Sequence, residues 1–173
     1  MALSDNLVAY YKLDGNSNDS VASNNGTDTN ISYSSSYGKI SQGASFNGSS
    51  SKIAYPSGIY NLPSGNNSYT FAGWFQVADN GMHCLLQVEN GAANGRQAAL
   101  LCYVSGGTLS VTRQDGSYKT TTINASGTIS NNTWYFVCIR YNGTTLSVSV
   151  NNNTPVTTNP GFNAATANQG RLS

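Results

Sequence analysis

The stretch that decides the fold of this chain lies near its start and reads Leu7-Val-Ala-Tyr-Tyr-Lys-Leu-Asp-Gly-Asn-Ser-Asn-Asp-Ser20. The alternation of side chains over residues 7–13 predicts a β-strand with one buried face. The Asp, Asn and Gly residues that follow tolerate left-handed backbone and bond to their own backbone, so they predict a reversal of the chain. A short strand that runs into such a turn is typical of an all-β domain.

The same rhythm continues along the chain, because turn residues recur about every 8–12 residues and no helical period is sustained. It predicts an all-β fold, an antiparallel two-sheet β-sandwich. The segment Ser68–Ala78 is apolar on both faces, which predicts a central strand. Four hairpins are predicted: Gly43–Phe46 with Lys52–Tyr55 around Asn47-Gly48, His83–Glu89 with Gln97–Val104 around Asn90–Gly95, Thr108–Arg113 with Lys119–Ile123 around Asp115-Gly116, and Thr133–Tyr141 with Thr145–Val150 around Asn142-Gly143.

Composition excludes several classes of function. Charged residues make up 9% of the 173 residues, against about 25% in an ordinary soluble domain. The eight Lys and Arg residues are scattered singly and the net charge is +1, so we expect no nucleic-acid partner. No apolar segment approaches the roughly 18 residues of a membrane span, and the start of the chain shows no export signal. The three cysteines leave two alternatives open: a Cys84–Cys102 disulfide across a hairpin, or free thiols inside apolar strands.

Four blocks together resemble the laminin-G-like branch of the concanavalin A-like lectin and glucanase jelly rolls. They are the opening stretch, Phe46-Asn-Gly48, Tyr69–Phe75 and Asn132–Gly143. The resemblance implies one jelly-roll domain over residues 1–173. It also implies closing C-terminal strands with an apolar-Asp-Glu-apolar segment, which has no counterpart after Arg171-Leu-Ser173. We therefore expect a domain that is incomplete at its C-terminus, with an open sheet edge; the alternative is that a neighbouring chain supplies the missing edge. The predicted core contains Phe71, Trp74, Phe75, Trp134, Phe136, Ile139, Leu146 and Val148.

Catalysis is not expected. Glycoside hydrolases on this fold need two carboxylates about 5–9 Å apart, whereas the chain has a single glutamate, Glu89, with no acidic residue close to it in sequence. The only histidine, His83, precedes Cys84, and neighbours along a strand point to opposite faces. A glycosidase therefore requires an acid pair from outside this sequence.

Two kinds of ligand site are candidates. Asp14, Asn16, Asn18 and Asp19 place hard oxygen atoms close together in one turn, and the resemblance implies calcium near such a place, with Asp19 the favoured ligand. The alternative is that these side chains make only turn hydrogen bonds. Aromatic side chains in turn-rich regions are candidates for glycan binding, and they are Tyr33, Tyr37, Tyr55, Tyr60 and Tyr118.

The function that the resemblance implies is non-catalytic recognition. We expect a phage virion surface protein, such as a capsid decoration, head fibre or tail appendage, that docks on other virion proteins or on a neighbouring copy through the open edge and binds host-surface glycans. The expected location is the virion surface. The alternative is a lectin-like, carbohydrate-binding module of a secreted bacterial protein, located outside the cell or on the bacterial surface.

Overall fold

Two antiparallel sheets packed face to face form the body of the protein. The computed structural model describes residues 6–61, 63–89, 98–167 and 169–173. One short helix, α1, spans Ser57–Tyr60, and a single turn of 3-10 helix spans Ser35–Tyr37. The strands are β1 (Thr27–Thr29), β2 (Ser32–Ser34), β3 (Gly43–Ser45), β4 (Lys52–Ala54), β5 (Tyr69–Phe75), β6 (His83–Glu89), β7 (Ala98–Ser105), β8 (Thr108–Gln114), β9 (Thr120–Asn124), β10 (Tyr135–Tyr141), β11 (Leu146–Val150), β12 (Val156–Thr158) and β13 (Gln169–Leu172).

The larger sheet has seven strands in the order β1-β4-β13-β6-β7-β8-β9, and the smaller has four in the order β12-β11-β10-β5. A separate pair, β2 with β3, lies outside both. The predicted antiparallel β-sandwich is therefore confirmed. Among the described residues no helix is long and apolar enough to cross a membrane.

The core lies between the two sheets and follows the alternation of the strands. Val137, Ile139 and Tyr141 of β10 point inwards, and from the facing sheet Val88 and Val111 meet them. Full burial of such a side chain stabilises the fold by about 1.5–3 kcal/mol. The predicted core members Ile139, Leu146 and Val148 are confirmed as buried, and Phe71 and Phe75 pack against the core while remaining partly exposed.

Three of the predicted hairpins form. β6 pairs with β7, β8 with β9, and β10 with β11. In the turn of the second, the Asp115 carboxylate accepts the N–H groups of Ser117 and Lys119 at 2.8 Å each. In the third, Asn142 Oδ1 accepts from the Thr145 N–H at 2.8 Å. The turn predicted at Asn90–Gly95 lies outside the described residues.

The predicted first strand, residues 7–13, is wrong as a strand. The segment makes only an isolated bridge between Tyr11 and Asp19, and Leu7, Val8 and Tyr10 stay 42%, 42% and 50% exposed. A β-strand requires hydrogen bonds to a neighbouring strand, and among the described residues no strand lies alongside residues 7–13. The segment therefore does not become part of a sheet, despite its alternating pattern.

The hairpin predicted at Asn47-Gly48 is also wrong. β3 pairs with β2, whereas β4 pairs with β1 and β13, so the two strands belong to different sheets. The reason is local: Asn47 Oδ1 accepts the N–H groups of Ser49, Ser50 and Ser51 at 2.9–3.0 Å. These bonds hold residues 47–51 in a compact loop of their own, in place of the two-residue turn that a tight hairpin needs.

The predicted strand Ser68–Ala78 forms as β5, but it is not central. It lies at the end of the four-stranded sheet and pairs with β10 alone among the described strands. Trp74 does not belong to the core, since it is 44% exposed. Phe136 and Trp134 are likewise only partly buried. The inward-pointing set of β10 is Val137, Ile139 and Tyr141, so even-numbered Phe136 points away from the core.

The last strand ends in the middle of the larger sheet. β13 lies between β4 and β6, where Arg171 pairs with Ala54 on one side and Gln87 on the other. The three cysteines are free. Cys84 lies opposite Tyr103 and Cys102 opposite Leu86, so the two thiols are not cross-strand partners and the disulfide does not form.

Candidate functional site

The four-stranded sheet has a solvent side that alternation makes almost entirely polar and small. We call this side the outer face. Register pairs Trp74 with Phe136, Ala72 with Cys138, and Thr70 with Arg140, and β11 adds Ser147 and Ser149 opposite Arg140 and Cys138. The outer face is formed by Thr70, Ala72, Trp74, Gln76, Phe136, Cys138, Arg140, Ser147, Ser149 and Thr157.

Two aromatic rings interrupt this polar surface. Trp74 and Phe136 lie side by side, with ring centroids 5.4 Å apart and planes tilted by 58°. The Lys39 ammonium lies 5.6 Å from the centroid of the Trp74 ring, within the range of a cation–π contact. A large aromatic side chain with 44% of its surface exposed in a sheet of Ser, Thr and Ala offers a flat apolar face for a ligand.

A cleft of about 2170 Å³ runs along the outer face and around the free edge of β5. The segment 6–14 and the loop 37–42 form its opposite wall. Phe71, Phe75 and Leu85, which pack on the core, also line it. A Cβ atom added to Gly73 would meet nothing within 4 Å, so the gap beside β5 is open to the edge of the core.

The predicted calcium ligands lie in the N-terminal loop, where their oxygens accept hydrogen bonds, most of them from backbone N–H groups. Asp19 accepts four N–H groups, from Tyr10, Val21, Ala22 and Asn24, at 2.9–3.2 Å. Desolvation by burial raises the pKa of Asp19, but these four donors together outweigh it and hold the pKa below its ordinary value.

Asp14 and Asn16 also accept hydrogen bonds within the loops around them. Asp14 Oδ1 accepts from the Ser41 hydroxyl at 3.0 Å and the Gln42 N–H at 3.3 Å, and Asn16 Oδ1 accepts from the Asn18 N–H at 2.9 Å. Within the described ranges no three acidic, His or Cys side chains group together as metal ligands. These bonds are those of an Asx-type loop, and calcium binding at Asp14, Asn16, Asn18 and Asp19 stays a prediction.

The five predicted glycan-binding tyrosines are scattered. Tyr37, 42% exposed, and Tyr55, stacked 5.2 Å from Tyr11, line the cleft. Tyr60 belongs to α1 and packs on the core, and Tyr118 is 56% exposed beyond β8. The Tyr33 hydroxyl donates to Asp28 at 2.8 Å, and burial together with this bond raises its pKa to about 12. No single site contains all five, and their role stays a prediction.

The only glutamate is enclosed in a structural network. Glu89 is 3% exposed, accepts from Arg171 Nη1 at 3.0 Å and from Gln87 Nε2 at 2.7 Å, and Arg171 Nη2 donates to Gln87 Oε1 at 2.7 Å. The aspartates Asp14, Asp19, Asp28, Asp79 and Asp115 lie outside the long strands and bond to their own surroundings. In the part of the chain that the structure describes, no second carboxylate therefore shares the sheet surface with Glu89. The His83 ring bonds to Asp79 at 2.8 Å rather than to Cys84.

Sequence reasoning missed the aromatic pair because it assigned Trp74 and Phe136 to the core by residue type. The signal was present in the alternation: Trp74 shares its strand face with Thr70, Ala72 and Gln76. When all the remaining residues on one face of a strand are small or polar, that face points to solvent. A tryptophan on such a face is exposed whatever its hydrophobicity.

Two packed antiparallel sheets of seven and four strands define the class of protein: a jelly-roll domain. Residues 47–172 match the family model of the Concanavalin A-like lectin/glucanases superfamily. The chain belongs to that family, as the resemblance predicted. No protein with a curated description matches this sequence.

Solved structures show the same fold at low sequence identity. The binding domain of Paraclostridial Mosquitocidal Protein 1 is similar with a TM-score of 0.70 and 17% identity, over 99% of this chain and 45% of that chain. The Ruminococcus gnavus IT-sialidase CBM40, solved bound to α2,3-sialyllactose, is similar with a TM-score of 0.53 and 13% identity, over 66% and 65% of the two chains. An alginate lyase from Alteromonas sp. 272 gives 0.50 and 12%, over 73% and 60%. This chain thus spans less than half of the toxin binding domain.

Proposed function

We propose that this protein is a non-catalytic recognition module that binds a saccharide on the outer face of its four-stranded sheet. The observation that carries the proposal is the exposed Trp74 ring beside the half-buried Phe136 ring, on a face that also carries hydroxyl side chains. Aromatic rings pack against the apolar CH faces of a sugar, and exposed hydroxyls such as those of Thr70 and Thr157 bond to its OH groups. The cleft supplies an elongated space for a chain of several sugar rings.

The proposal that the module has no catalytic activity rests on Glu89. Hydrolysis of a glycosidic bond uses one carboxyl group as an acid and a second as a base or nucleophile. Glu89 is ion-paired with Arg171 and closed off from solvent, which is a poor environment for either role. The fold itself does not decide between the two functions, because it occurs both in binding domains and in a lyase.

Two fold relatives support recognition rather than chemistry. One is the binding domain of a mosquitocidal protein, and another was solved with a sialylated sugar. We transfer only binding in general from the first and binding of a saccharide from the second. A saccharide ligand of this kind lies outside the cell, which supports an extracellular or surface location for the module.

We further propose that the module is carried on the surface of a phage virion, as a capsid decoration, head fibre or tail appendage. Its surface is poor in charge, with 9% charged residues in the sequence, and interfaces between subunits are depleted in charge. The free edge of β5 would serve for docking on a virion protein or a neighbouring copy, because unpaired strand edges accept further strands. The alternative is a carbohydrate-binding module of a secreted bacterial protein.

The experiment is a glycan array probed with the recombinant chain and with Trp74→Ala. We expect the wild-type chain to bind a defined set of glycans and the variant to lose at least about tenfold in affinity, because the stacking surface is gone. Tyr118→Ala removes an aromatic ring that is 56% exposed and does not line the cleft, and we expect it to bind as wild type does. A loss of binding in this variant would instead support the predicted glycan-binding role of Tyr118. Matching circular dichroism spectra establish that all three chains are folded.

Two outcomes decide the matter. Binding that survives Trp74→Ala unchanged would move the site away from the outer face. Failure of the folded wild-type chain to bind any glycan would leave a structural subunit whose partner is another protein.

Repeating the array with calcium and with chelator tests the Asp14–Asp19 loop. Binding that depends on calcium would support a metal there, despite the backbone bonds that occupy Asp19.

A further inference from the structure

More positive than negative side chains line the cleft, although the chain as a whole is nearly neutral. The described charged side chains that line it are five cations and two acids: Lys12, Lys39, Lys52, Arg140 and Arg171 against Asp14 and Asp79. Both acids are already engaged, Asp14 with Ser41 and Gln42, and Asp79 with Gly81 and His83.

Two of the cations lie at the outer face without an acidic partner. The ion pairs in the described part of the chain are His83–Asp79 and Arg171–Glu89, and neither involves Arg140 or Lys39. Exposed lysines and arginines on ordinary surfaces are interspersed with acids. The outer face, by contrast, contains no carboxylate at all among its ten residues.

The guanidinium group of Arg140 is accessible to a ligand on the outer face. Its cross-strand neighbours on the outer face are Thr70 and Ser147, whose short side chains leave the guanidinium uncovered, and the residue is exposed. It follows Phe136 by four residues on the same face of β10, which is about 13 Å along the strand. Lys39 is held at the other end, over Trp74.

From this arrangement we infer that the ligand of the outer face is an anionic saccharide, which stacks on Trp74 and places an acidic group on Arg140. The inference rests on the proposed function and adds the chemical class of the ligand. A guanidinium bonds to a planar carboxylate through two parallel N–H groups. A sulfate group presents the same oxygen chemistry, and the experiment separates the two. A ligand that contacts both Trp74 and Arg140 must be longer than one sugar ring.

The test uses an array of neutral, carboxylated and sulfated glycans, followed by calorimetry with the best anionic ligand and with its uncharged analogue, the methyl ester or the desulfated form. We expect the bound glycans to be anionic. Arg140→Gln should weaken binding of the anionic ligand by about tenfold or more and leave the weak binding of the uncharged analogue unchanged. Binding should also weaken between about 0.05 M and about 0.5 M salt.

Lys119→Gln is the matched control, because it removes one exposed cation that lies 5.3 Å from the Phe162 ring and does not line the cleft. It should leave affinity within about twofold of wild type. Selective binding of carboxylated glycans identifies the acidic group as a carboxylate, and selective binding of sulfated glycans identifies it as a sulfate. The inference is overturned if neutral and anionic glycans bind equally well, if Arg140→Gln does not change the affinity, and if binding still requires Trp74. The proposed function would then still stand. Absence of any saccharide binding overturns both.

Discussion

At the scale of single residues, Arg113 shows how the chain buries a charge inside the core. It is 0% exposed, and its Cζ lies 3.8 Å from the centroid of the Tyr141 ring. Nη1 donates to the Tyr69 hydroxyl at 3.3 Å and to the Pro63 carbonyl at 3.5 Å, and Nη2 donates to the Gly65 carbonyl. Arg113 thereby ties the segment before β5 to the strand β8 of the opposite sheet.

Replacement of this residue should be costly. Arg113→Met removes the donor to the Pro63 carbonyl and the Tyr69 hydroxyl, whereas the Gly65 carbonyl keeps the Ala164 N–H. Each unpaired buried acceptor costs about 1–3 kcal/mol. We therefore expect the free energy of unfolding to fall by about 3 kcal/mol, measured by urea denaturation followed by circular dichroism. Arg140→Met makes the same chemical change on the exposed outer face and should stay within about 0.5 kcal/mol of wild type. Equal losses in the two variants would contradict the role of Arg113.

At the scale of elements, the position of β13 explains why a glycine is needed in the middle of the larger sheet. Gly170 lies opposite Val88, and α1 passes directly over it. A Cβ atom at this position would lie 2.6 Å from the Cβ of Tyr60 and 3.7 Å from Cδ2 of Tyr55. The close approach of helix and strand thus depends on the missing side chain.

Gly170→Ala should push α1 away from β13. We expect a loss of about 1–3 kcal/mol from overpacking, which lowers the midpoint of thermal unfolding by about 2–4 °C for each kcal/mol in a chain of this size. Gly73→Ala is the matched control, because its added methyl group meets no atom within 4 Å in β5, so the midpoint should hold or rise slightly. A Gly170→Ala chain as stable as wild type would show that the helix shifts without cost.

At the scale of the whole molecule, the gap beside β5 leaves one side of the four-stranded sheet without a described neighbouring strand. The edge strand has seven residues and pairs on one side only with a described strand. Backbone N–H and C=O groups that no described strand pairs with, next to partly exposed phenylalanines, form a template for a further strand. Such a surface suits a subunit that completes its sheet on a larger particle.

If the module belongs to a virion, purified particles of the encoding phage should contain it, as detected by mass spectrometry. Particles from a deletion strain should lack it and should bind the recombinant chain again when it is added. Ala72→Lys places a charge on the free strand, in the way natural edges are protected, and should abolish rebinding while the chain remains folded. Absence of the protein from particles, or a gene neighbourhood without capsid or tail genes, would favour the secreted module.

The sequence by itself determined the class of fold and three of the hairpins. Alternation and turn residues act over a few neighbouring positions, so β8 with β9 and β10 with β11 follow from local chemistry. The absence of a paired carboxylate near Glu89 was equally visible, because the chain contains one glutamate.

Only the tertiary structure decided which strands share a sheet and which faces meet solvent. The pairing of β4 with β13 joins residues more than a hundred positions apart, and no local pattern encodes that contact. The segment 7–13 has a strand pattern but lacks a neighbour, so it stays outside the sheets. Trp74 looks like a core residue by type and is exposed by register, because the side of a strand that becomes the surface depends on where the other sheet packs.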